Sequence, residues 1–327
     1  MARRILLMGA GFSRNWGGWL AKEVFEYLIG SAALHRHRDL RELLWSYQEP
    51  GRGGFEGLLA DFQLAVAQDP SDPKPRAELL ALETAISEMF ADMNAALLHE
   101  GSSLFNSRMC DFLAGFNVIF SLNQDLLLER HYIFSDSFPA KKAPHKWSGA
   151  SLPGIEPDNG FQPRHQDRGA WIRSRWKVVQ DNPQFGKAQP VVKLHGSAQW
   201  FRPGDESGLM IIGGNKKEAI ERDPLLKSYR AHFHRELQVP GTRLMIVGYG
   251  FGDAHINEQI VLAAENGTKT FVSDARGAEA FAEADVRTRG YMQRSLIGVS
   301  RRPISELTNP SEIENAKLRR FMEDNEM

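Results

Sequence analysis

Residues 4–18 read RILLMGAGFSRNWGG, and this stretch decides the fold. The apolar run 5–8 ends in a Gly-Ala-Gly triplet at 9–11, and helix-like sequence resumes at Trp19. This order predicts a buried strand that turns sharply into a helix, with glycines where the backbone approaches another group closely. A helix N-terminus at such a turn is a natural phosphate site. Because the third glycine of the dinucleotide fingerprint is missing, the turn by itself fits nucleotide binding and simple tight packing equally well.

The composition excludes several classes of protein. The chain has 327 residues, and 40 basic and 41 acidic residues give a formal net charge of -1. Bulk charge therefore favours neither nucleic acid nor a membrane surface, and we expect no direct binding to either. The only cysteine is Cys110, which excludes an internal disulfide and a four-cysteine zinc module and fits a reducing cytoplasm. No apolar run reaches the roughly 18 residues of a membrane span, so we expect a soluble cytoplasmic protein.

A large helical insertion is predicted at about 38–115, between the first two strands. After a first helix at 19–29, helical periodicity covers 40–47, 55–67, 76–99 and 107–114, and a proline-rich connection lies at 69–75. These roughly 75 residues far exceed an ordinary crossover of about a dozen. The insertion is therefore an added helical layer, and its function is open.

Four further apolar runs continue the parallel sheet. They lie at 116–122, 190–194, 243–247 and 269–272, and they are typical of strands buried on both faces. Residues from about 133 to 190 are rich in Pro, Gly, Asp and Asn and predict a second, irregular insertion. We predict one domain over 1–300 and a C-terminal extension over 301–327. A capping-box pattern at 311–314 predicts the start of its terminal helix.

Basic and aromatic residues alternate within the second insertion, at 164–177. Five Lys or Arg side chains surround Trp171 and Trp176 there. Such a pattern can bind single-stranded nucleic acid by charge and stacking. Two rings are few, however, and an amphipathic helix with both tryptophans packed inward is the preferred interpretation.

Each of the five predicted strands ends in a polar or glycine-rich cluster. The clusters are Gly9-Ala10-Gly11, Asn123-Gln124-Asp125, His195-Gly196, Gly248-Tyr249-Gly250 and Ser273-Asp274. In an open parallel sheet, ligands bind outside the carboxyl ends of the strands, so these clusters should share one crevice. Their coincidence favours nucleotide binding more strongly than any single motif.

The same clusters carry a family resemblance. GAGFS at 9–13, SLNQD at 121–125 and KLHGS at 193–197 resemble, in this order, the ordered motifs of sirtuins. GYGFGDAHIN at 248–257 is similar to the bacterial sirtuin-like (Sir2-like) branch found in anti-phage defence systems. The resemblance implies a Rossmann-like doubly wound α/β fold that binds NAD as its substrate and acts on the nicotinamide-ribose bond.

Two departures from the family narrow the expected activity. Deacetylating sirtuins hold zinc with two cysteine pairs, which a chain with one cysteine cannot supply. The turn also continues as RNWGG at 14–18, unlike the loop that closes over nicotinamide in deacetylases. NAD hydrolysis to nicotinamide and ADP-ribose, with depletion of NAD in infected cells, is therefore expected. A non-catalytic NAD or ADP-ribose sensor and a zinc-free deacylase or ADP-ribosyltransferase are the alternatives.

The resemblance and the chemistry of the side chains assign roles to individual residues. Asn123 is expected to orient water or a ribose hydroxyl, and His195 to accept a proton. Asp125 is expected to contact nicotinamide or to cap a helix, and Asp253 to act more as a cap than as a ligand group. The cofactor-binding set is Gly9, Ala10, Gly11, Phe12, Ser13, Asn15, Asp125, Gly196, Gly248, Tyr249, Asp253, His255, Ser273 and Asp274.

No metal site is expected, because the spacing of His35, His37 and His99 does not suggest metal ligands. Trp16 and Trp19 are expected to pack in the core instead of stacking on adenine. An NAD-consuming enzyme harms its own cell, so oligomerisation or a partner should restrain it. We therefore expect a homo-oligomer, and the family resemblance implies a HerA-type ATPase or an Argonaute-like protein as the regulatory partner.

Overall fold

The computed structural model describes residues 2–99, 105–134, 148–186 and 188–323. The strands of this part are, in chain order, β1 (Arg4–Met8), β2 (Val118–Ser121), β3 (Ala150–Ser151), β4 (Ile155–Pro157), β5 (Trp176–Val178), β6 (Gln189–Lys193), β7 (Gly196–Arg202), β8 (Asp205–Met210), β9 (Arg243–Val247), β10 (Lys269–Ser273) and β11 (Leu296–Ser300). Seven of them form a parallel sheet in the order β11-β10-β9-β1-β2-β6-β3. Helices flank the sheet, and the molecule has the expected α/β, Rossmann-like doubly wound fold.

The strand order reverses direction at β1. From β1 the chain proceeds to β2 and β6 on one side, and later to β9, β10 and β11 on the other. Strand β1 lies between β2 and β9 and pairs with both. Ile5 of β1 lies opposite Val118 of β2, and Arg4 of β1 lies opposite Arg243 of β9. The carboxyl ends of β1 and β9 therefore form the topological switch point, where open α/β sheets bind their ligands.

The five predicted strands are confirmed to within about two residues. Their side chains are almost completely buried, as the apolar runs indicated. Strand β11 was not predicted, because its sequence LIGVS is only partly buried and contains a glycine. Gly298 interrupts it for a packing reason, since a Cβ there would lie 2.5 Å from the ring of Phe271 on β10. The edge strand β3 has only two residues and leaves no sequence signal.

Helices account for most of the remaining chain. They are α1 (Ala10–Arg14), α2 (Ala21–Gly30), α3 (Ala32–His35), α4 (Arg38–Ser46), α5 (Gly54–Gln68), α6 (Pro73–Leu97), α7 (Ser107–Ala114), α8 (Arg168–Arg173), α9 (Lys216–Arg222), α10 (Pro224–Leu237), α11 (Ala254–Glu265), α12 (Val286–Ser295), α13 (Ile304–Leu307) and α14 (Asn315–Met322). A π-helical turn covers Glu129–Ile133 and a 3₁₀ helix covers Gly277–Phe281. Helices α4 to α7 form the predicted helical insertion. Among the described residues, no helix is long and apolar enough to cross a bilayer.

The second insertion contains more regular structure than predicted. Its described part contributes β4 and β5 to a smaller sheet, in the order β4-β5-β7-β8. Trp171 and Trp176 are completely buried, and their rings lie 5.9 Å apart. The rings are therefore core residues, as the preferred interpretation held, and cannot stack on bases. Residues 135–147 and 187 of this insertion lie outside the described part of the chain.

The helix predicted at 19–29 is confirmed to within two residues, whereas the short helix α1 was not predicted and the predicted cap at 311–314 is wrong. Helix α1 begins directly after Gly9 and has five residues, and the next helix begins only at Ala21. The interruption allows Trp16 to pack between Phe12 and Phe105, with ring centroids 4.9 and 5.1 Å away. Helix α14 begins at Asn315 without a side-chain cap, so the capping-box pattern at 311–314 does not form a cap.

Candidate functional site

A cavity of about 800 Å³ lies at the carboxyl ends of the parallel strands. It is lined by 13 of the 16 predicted site residues, namely Gly9, Ala10, Gly11, Ser13, Asn15, Asn123, Asp125, His195, Gly248, Tyr249, Asp253, Ser273 and Asp274. The helical insertion closes one side, with Phe55 of α5 and Met89 and Met93 of α6 among its lining residues. Asn123 and His195, which were predicted to act together, thus lie in the same cavity, and the inserted helices form part of its wall.

The two glycine turns at the switch point pack backbone against backbone. Gly9 N donates to Val247 O at 3.0 Å, and Gly11 N donates to Gly248 O at 2.9 Å. A Cβ on Gly11 would lie 2.7 Å from Gly248 Cα, and one on Gly248 would lie 2.3 Å from Gly11 C. The glycines are therefore needed to bring the ends of β1 and β9 together.

This packing limits the anion-binding role predicted for the first turn. The amides of Gly9 and Gly11 are committed to β9 and its turn, and Phe12 N donates to Gly9 O at 2.9 Å. Asn15 is committed as well, because its Nδ2 donates to the carbonyls of Gly11 and Phe12 at 3.0 Å. The turn therefore shapes the cavity wall, and it presents few amides for a phosphate.

A buried hydrogen-bond chain joins the first two strand ends. Asn123 Nδ2 donates to Ser13 Oγ at 2.9 Å, and Ser13 Oγ donates to Asp125 Oδ2 at 2.6 Å. The other oxygen of Asp125 accepts from Leu127 N at 3.0 Å. Asp125 thus acts as a local cap and anchors the hydrogen-bond chain, and its predicted contact with nicotinamide stays a prediction. The Asn123 amide is held in one orientation at the cavity wall.

A buried ion pair between Lys193 and Glu129 contacts the loop that carries this hydrogen-bond chain. Lys193 Nζ lies 2.7 Å from Glu129 Oε1, donates to the backbone carbonyl of Asp125 and lies 3.2 Å from Ser197 Oγ. Both charged side chains are essentially inaccessible to solvent. Burial raises the pKa of Glu129, and the Lys193 ammonium opposes this rise. The ion pair fixes the loop that carries Asn123 and Asp125.

His195 and His255 form a histidine pair at one side of the cavity. Their Nε2 atoms lie 3.1 Å apart, so a single proton lies between them in the neutral pair. Burial, opposed by the charge of Asp253 and assisted by those of Lys216 and His255, lowers the pKa of His195 to about 3. Burial also lowers the pKa of His255. Both imidazoles are therefore neutral at physiological pH.

A charge cluster that the sequence did not predict lies beside the histidines. Lys216 Nζ lies 2.7 Å from Glu56 Oε2 and 2.9 Å from Asp253 Oδ1. Burial alone would lower the Lys216 pKa, but the two carboxylates outweigh it and raise that pKa. Asp253 makes no side-chain cap on α11, so the predicted capping role is wrong, and the carboxylate pairs with Lys216 instead. Through Glu56, this cluster ties the helical insertion to the sheet.

The loop after β9 is held by its own polar side chains. Tyr249 Oη donates to Asn257 Oδ1 at 2.9 Å and accepts from Asp253 N at 3.1 Å. Asn257 Nδ2 donates to Phe251 O at 2.8 Å, and Phe251 adopts a φ of 56°. Tyr249 thus lines the cavity mainly as a structural residue of this loop.

The end of the cavity at β10 is rich in arginine. Asp274 Oδ1 accepts from the backbone N and the Nε of Arg276 at 2.9 and 3.1 Å. Arg301 and Arg302 also line the cavity, and they directly follow Ser300, which pairs with Ser273. These arginines were not predicted, because isolated arginines in a sequence are usually solvated.

Three predicted residues do not line the cavity. Phe12 is 1% exposed and packs in the core. Gly196 is needed for the backbone conformation, because its φ is 70° and a Cβ at this position would lie 2.0 Å from Leu209 O. His255 faces a neighbouring cavity of about 660 Å³ and reaches the first cavity only through His195.

Comparisons with known proteins add no assignment. No protein-family model matches this sequence, and no curated protein matches it significantly. The fold and the geometry of the cavity are therefore the structural grounds for a function.

Proposed function

We propose that this protein hydrolyses the nicotinamide-ribose bond of NAD to give nicotinamide and ADP-ribose. The observation that carries the proposal is the Ser13–Asn123 hydrogen bond at the wall of a switch-point cavity that also contains His195. Rossmann-like sheets bind dinucleotides in this crevice. The three motifs that resemble those of sirtuins contain Ser13, Asn123 and His195, in this order along the chain.

The chemistry requires few protein groups. Nicotinamide is a cationic pyridinium in NAD and departs as a neutral molecule, so the reaction needs no general acid. The site must hold the ribose while positive charge develops at its anomeric carbon, and it must place a water molecule beneath that carbon. Asn123 orients the water or a ribose hydroxyl. Neutral His195 accepts the proton that the water loses once its Nε2 leaves His255 and faces the water.

The proposed binding mode follows the length of the cavity. Nicotinamide ribose lies between Asn123 and His195, and the adenosine end extends toward Ser273 and Asp274. The arginines at this end supply positive charge on the adenosine side of the diphosphate, where the paired amides of the first turn supply little. No metal ion takes part in this hydrolysis.

The biological setting is proposed from the resemblance alone. The chain acts in the cytoplasm as the NAD-depleting effector of an anti-phage defence system. It is a homo-oligomer, and a HerA-type ATPase or an Argonaute-like partner controls it.

A second candidate function is an NAD or ADP-ribose sensor without turnover. One observation favours it: the Nε2 of His195 is engaged by His255, and burial makes His195 a weak base. A sensor would bind NAD tightly and release it unchanged.

The test is product identification in water enriched in ¹⁸O. The protein is incubated with NAD, both alone and in cell lysate, and the products are separated by chromatography. Hydrolysis predicts equal amounts of nicotinamide and ADP-ribose, with one ¹⁸O atom at the ribose carbon that lost nicotinamide. Tight binding of NAD that is recovered intact under both conditions would contradict the proposal and support the sensor.

A further inference from the structure

The histidine pair and Asp253 have the composition of a metal site. Among the described residues, His195, Asp253 and His255 each offer one ligand atom, and these atoms all lie within 4.8 Å of one another. Two imidazoles and one carboxylate are a donor set that binds zinc and other divalent transition metals. The three side chains are buried or nearly buried, so they are already ordered.

The distance between the two nitrogens fits a shared ion. Zinc binds histidine nitrogen at about 2.0–2.1 Å, so two such ligands at angles of about 90–110° lie about 2.9–3.4 Å apart. The observed Nε2–Nε2 distance is 3.1 Å. A metal ion can therefore take the place of the shared proton between the two rings. The Asp253 carboxylate, within 4.8 Å of both nitrogens, has to move closer to complete the set.

The cluster lies between two cavities. His195 lines the cavity at the strand ends, His255 lines the neighbouring cavity, and Asp253 lines both. The neighbouring cavity also contains the carboxylates of Glu218 and Glu258. A cation can therefore reach the histidines from this side without passing through the proposed NAD site.

Lys216 is the competing group. Its ammonium lies 2.9 Å from Asp253 Oδ1 and so occupies the position of a cation next to the carboxylate. It also lies 2.7 Å from Glu56 Oε2, which can keep the ammonium when Asp253 turns toward a metal ion. Asp253 can therefore pair either with Lys216 or with a bound metal ion. Because the two compete, the metal affinity of the site should be moderate.

From this geometry we infer that His195, His255 and Asp253 form a zinc site that restrains the proposed NAD hydrolysis. A bound Zn²⁺ takes the Nε2 lone pair of His195, which can then no longer accept a proton from water. The restraint depends on the proposed function, whereas the binding of the ion does not.

The test of binding uses Co²⁺ as a spectroscopic substitute for Zn²⁺ and does not involve NAD. Untagged protein stripped with a chelator is titrated with Co²⁺, and Zn²⁺ then displaces it. We expect one equivalent of Co²⁺ with a visible d–d absorption. His255→Gln and Asp253→Asn should weaken binding by more than about 10-fold, since even outer-shell changes cost 10–100-fold. His35→Gln, on the exposed end of α3, is the control and should bind like the wild type.

The competing lysine gives a second, opposite test. Lys216→Met removes the cation that Asp253 pairs with, so it should tighten Co²⁺ binding instead of weakening it. Lys216→Gln tests the same point if the methionine variant does not fold. No d–d absorption, or an absorption unchanged in His255→Gln, would overturn the site.

The restraint is tested separately, by nicotinamide release with and without Zn²⁺. We expect Zn²⁺ to inhibit release, and a chelator to restore it. Cobalt binding at the cluster with release unaffected by Zn²⁺ would overturn the restraint. Absence of release in every condition would contradict the proposed hydrolysis, and the cobalt titration would still decide whether the metal site exists.

Discussion

Asn123 Nδ2 donates a 2.9 Å hydrogen bond to Ser13 Oγ, although 110 residues separate the two in the chain. The bond joins the segment after β1 to the end of β2 at the wall of the proposed active site. Ser13 in turn donates to Asp125, so its hydroxyl orients an amide and satisfies a buried carboxylate at once. Ser13 is therefore a positioning residue for the proposed reaction.

Replacement of Ser13 by alanine tests this role. Without the hydroxyl, the Asn123 amide can rotate, and misplaced catalytic groups cost up to about 100-fold in rate. We expect kcat for nicotinamide release to fall about 10- to 100-fold in Ser13→Ala while KM changes little. Ser71→Ala, on the exposed turn before α6, is the control. An unchanged kcat, or a loss in KM alone, would contradict the positioning role.

The buried Lys193–Glu129 ion pair predicts that substitutions of its two residues have strongly non-additive effects on the free energy of unfolding. Lys193→Met leaves a completely buried carboxylate without its counter-charge, which costs about 3–5 kcal/mol in the free energy of unfolding. The double variant Lys193→Met/Glu129→Leu removes both charges and should recover most of that stability. Urea unfolding of the two variants and of the wild type measures the difference. A double variant as unstable as Lys193→Met would show that the pair is not coupled.

The close contact at the switch point predicts a steric penalty at Gly248. A Cβ there meets the backbone of Gly11 and Phe12 at 2.3 and 2.4 Å, and the φ is 61°. Gly248→Ala should therefore destabilise the fold by more than about 2 kcal/mol and reduce NAD binding. Gly267→Ala is the matched control, because Gly267 also has a positive φ of 85° but no atom within 4 Å of the added Cβ. Equal thermal denaturation of the two variants would contradict the steric explanation.

Because His232 is buried, we predict that the folded protein loses stability at acidic pH. Burial, followed by the charges of Arg235 and Arg3, lowers the pKa of His232 from 6.5 to about 3 in the folded chain. The unfolded chain therefore binds more protons below about pH 6.5, and the folded state loses stability from there down toward pH 3. At pH 5 this effect is about 2 kcal/mol, and above pH 6.5 it disappears.

The matching variant is His232→Phe, because His232 stacks on Phe185 with ring centroids 3.5 Å apart. Phenylalanine preserves the stacking and removes the titration. The free energy of unfolding is compared at pH 7 and pH 5. We expect the variant to lose about 2 kcal/mol less than the wild type over this interval, whereas exposed His35→Gln should behave like the wild type. Parallel losses in wild type and His232→Phe would be inconsistent with a buried neutral histidine.

The sequence predicted the core of the sheet because buried parallel strands leave continuous apolar runs. It also brought Asn123 and His195 together, since the rule that ligands bind at carboxyl strand ends needs only the strands and their order. Strand β11 was not predicted. Its Gly298 makes room for the ring of Phe271, and sequence periodicity cannot reveal such a contact.

Charged partners were the main part of the site that the sequence could not predict. Lys216 resembles a surface lysine in the sequence, and only the fold places it between Glu56 and Asp253. Likewise, His195 and His255 are 60 residues apart, so no metal-ligand spacing suggests their contact. The helical insertion was predicted, but its place at the cavity wall follows only from the tertiary structure.

The most direct test of the account is nicotinamide release by Asn123→Ala, measured together with NAD binding. If Asn123 orients the reacting groups, release should fall by about 100-fold or more, while NAD binding and thermal stability stay near those of the wild type. Asn266→Ala, at the exposed end of α11, should retain full activity. Release by Asn123→Ala at the wild-type rate would contradict the account.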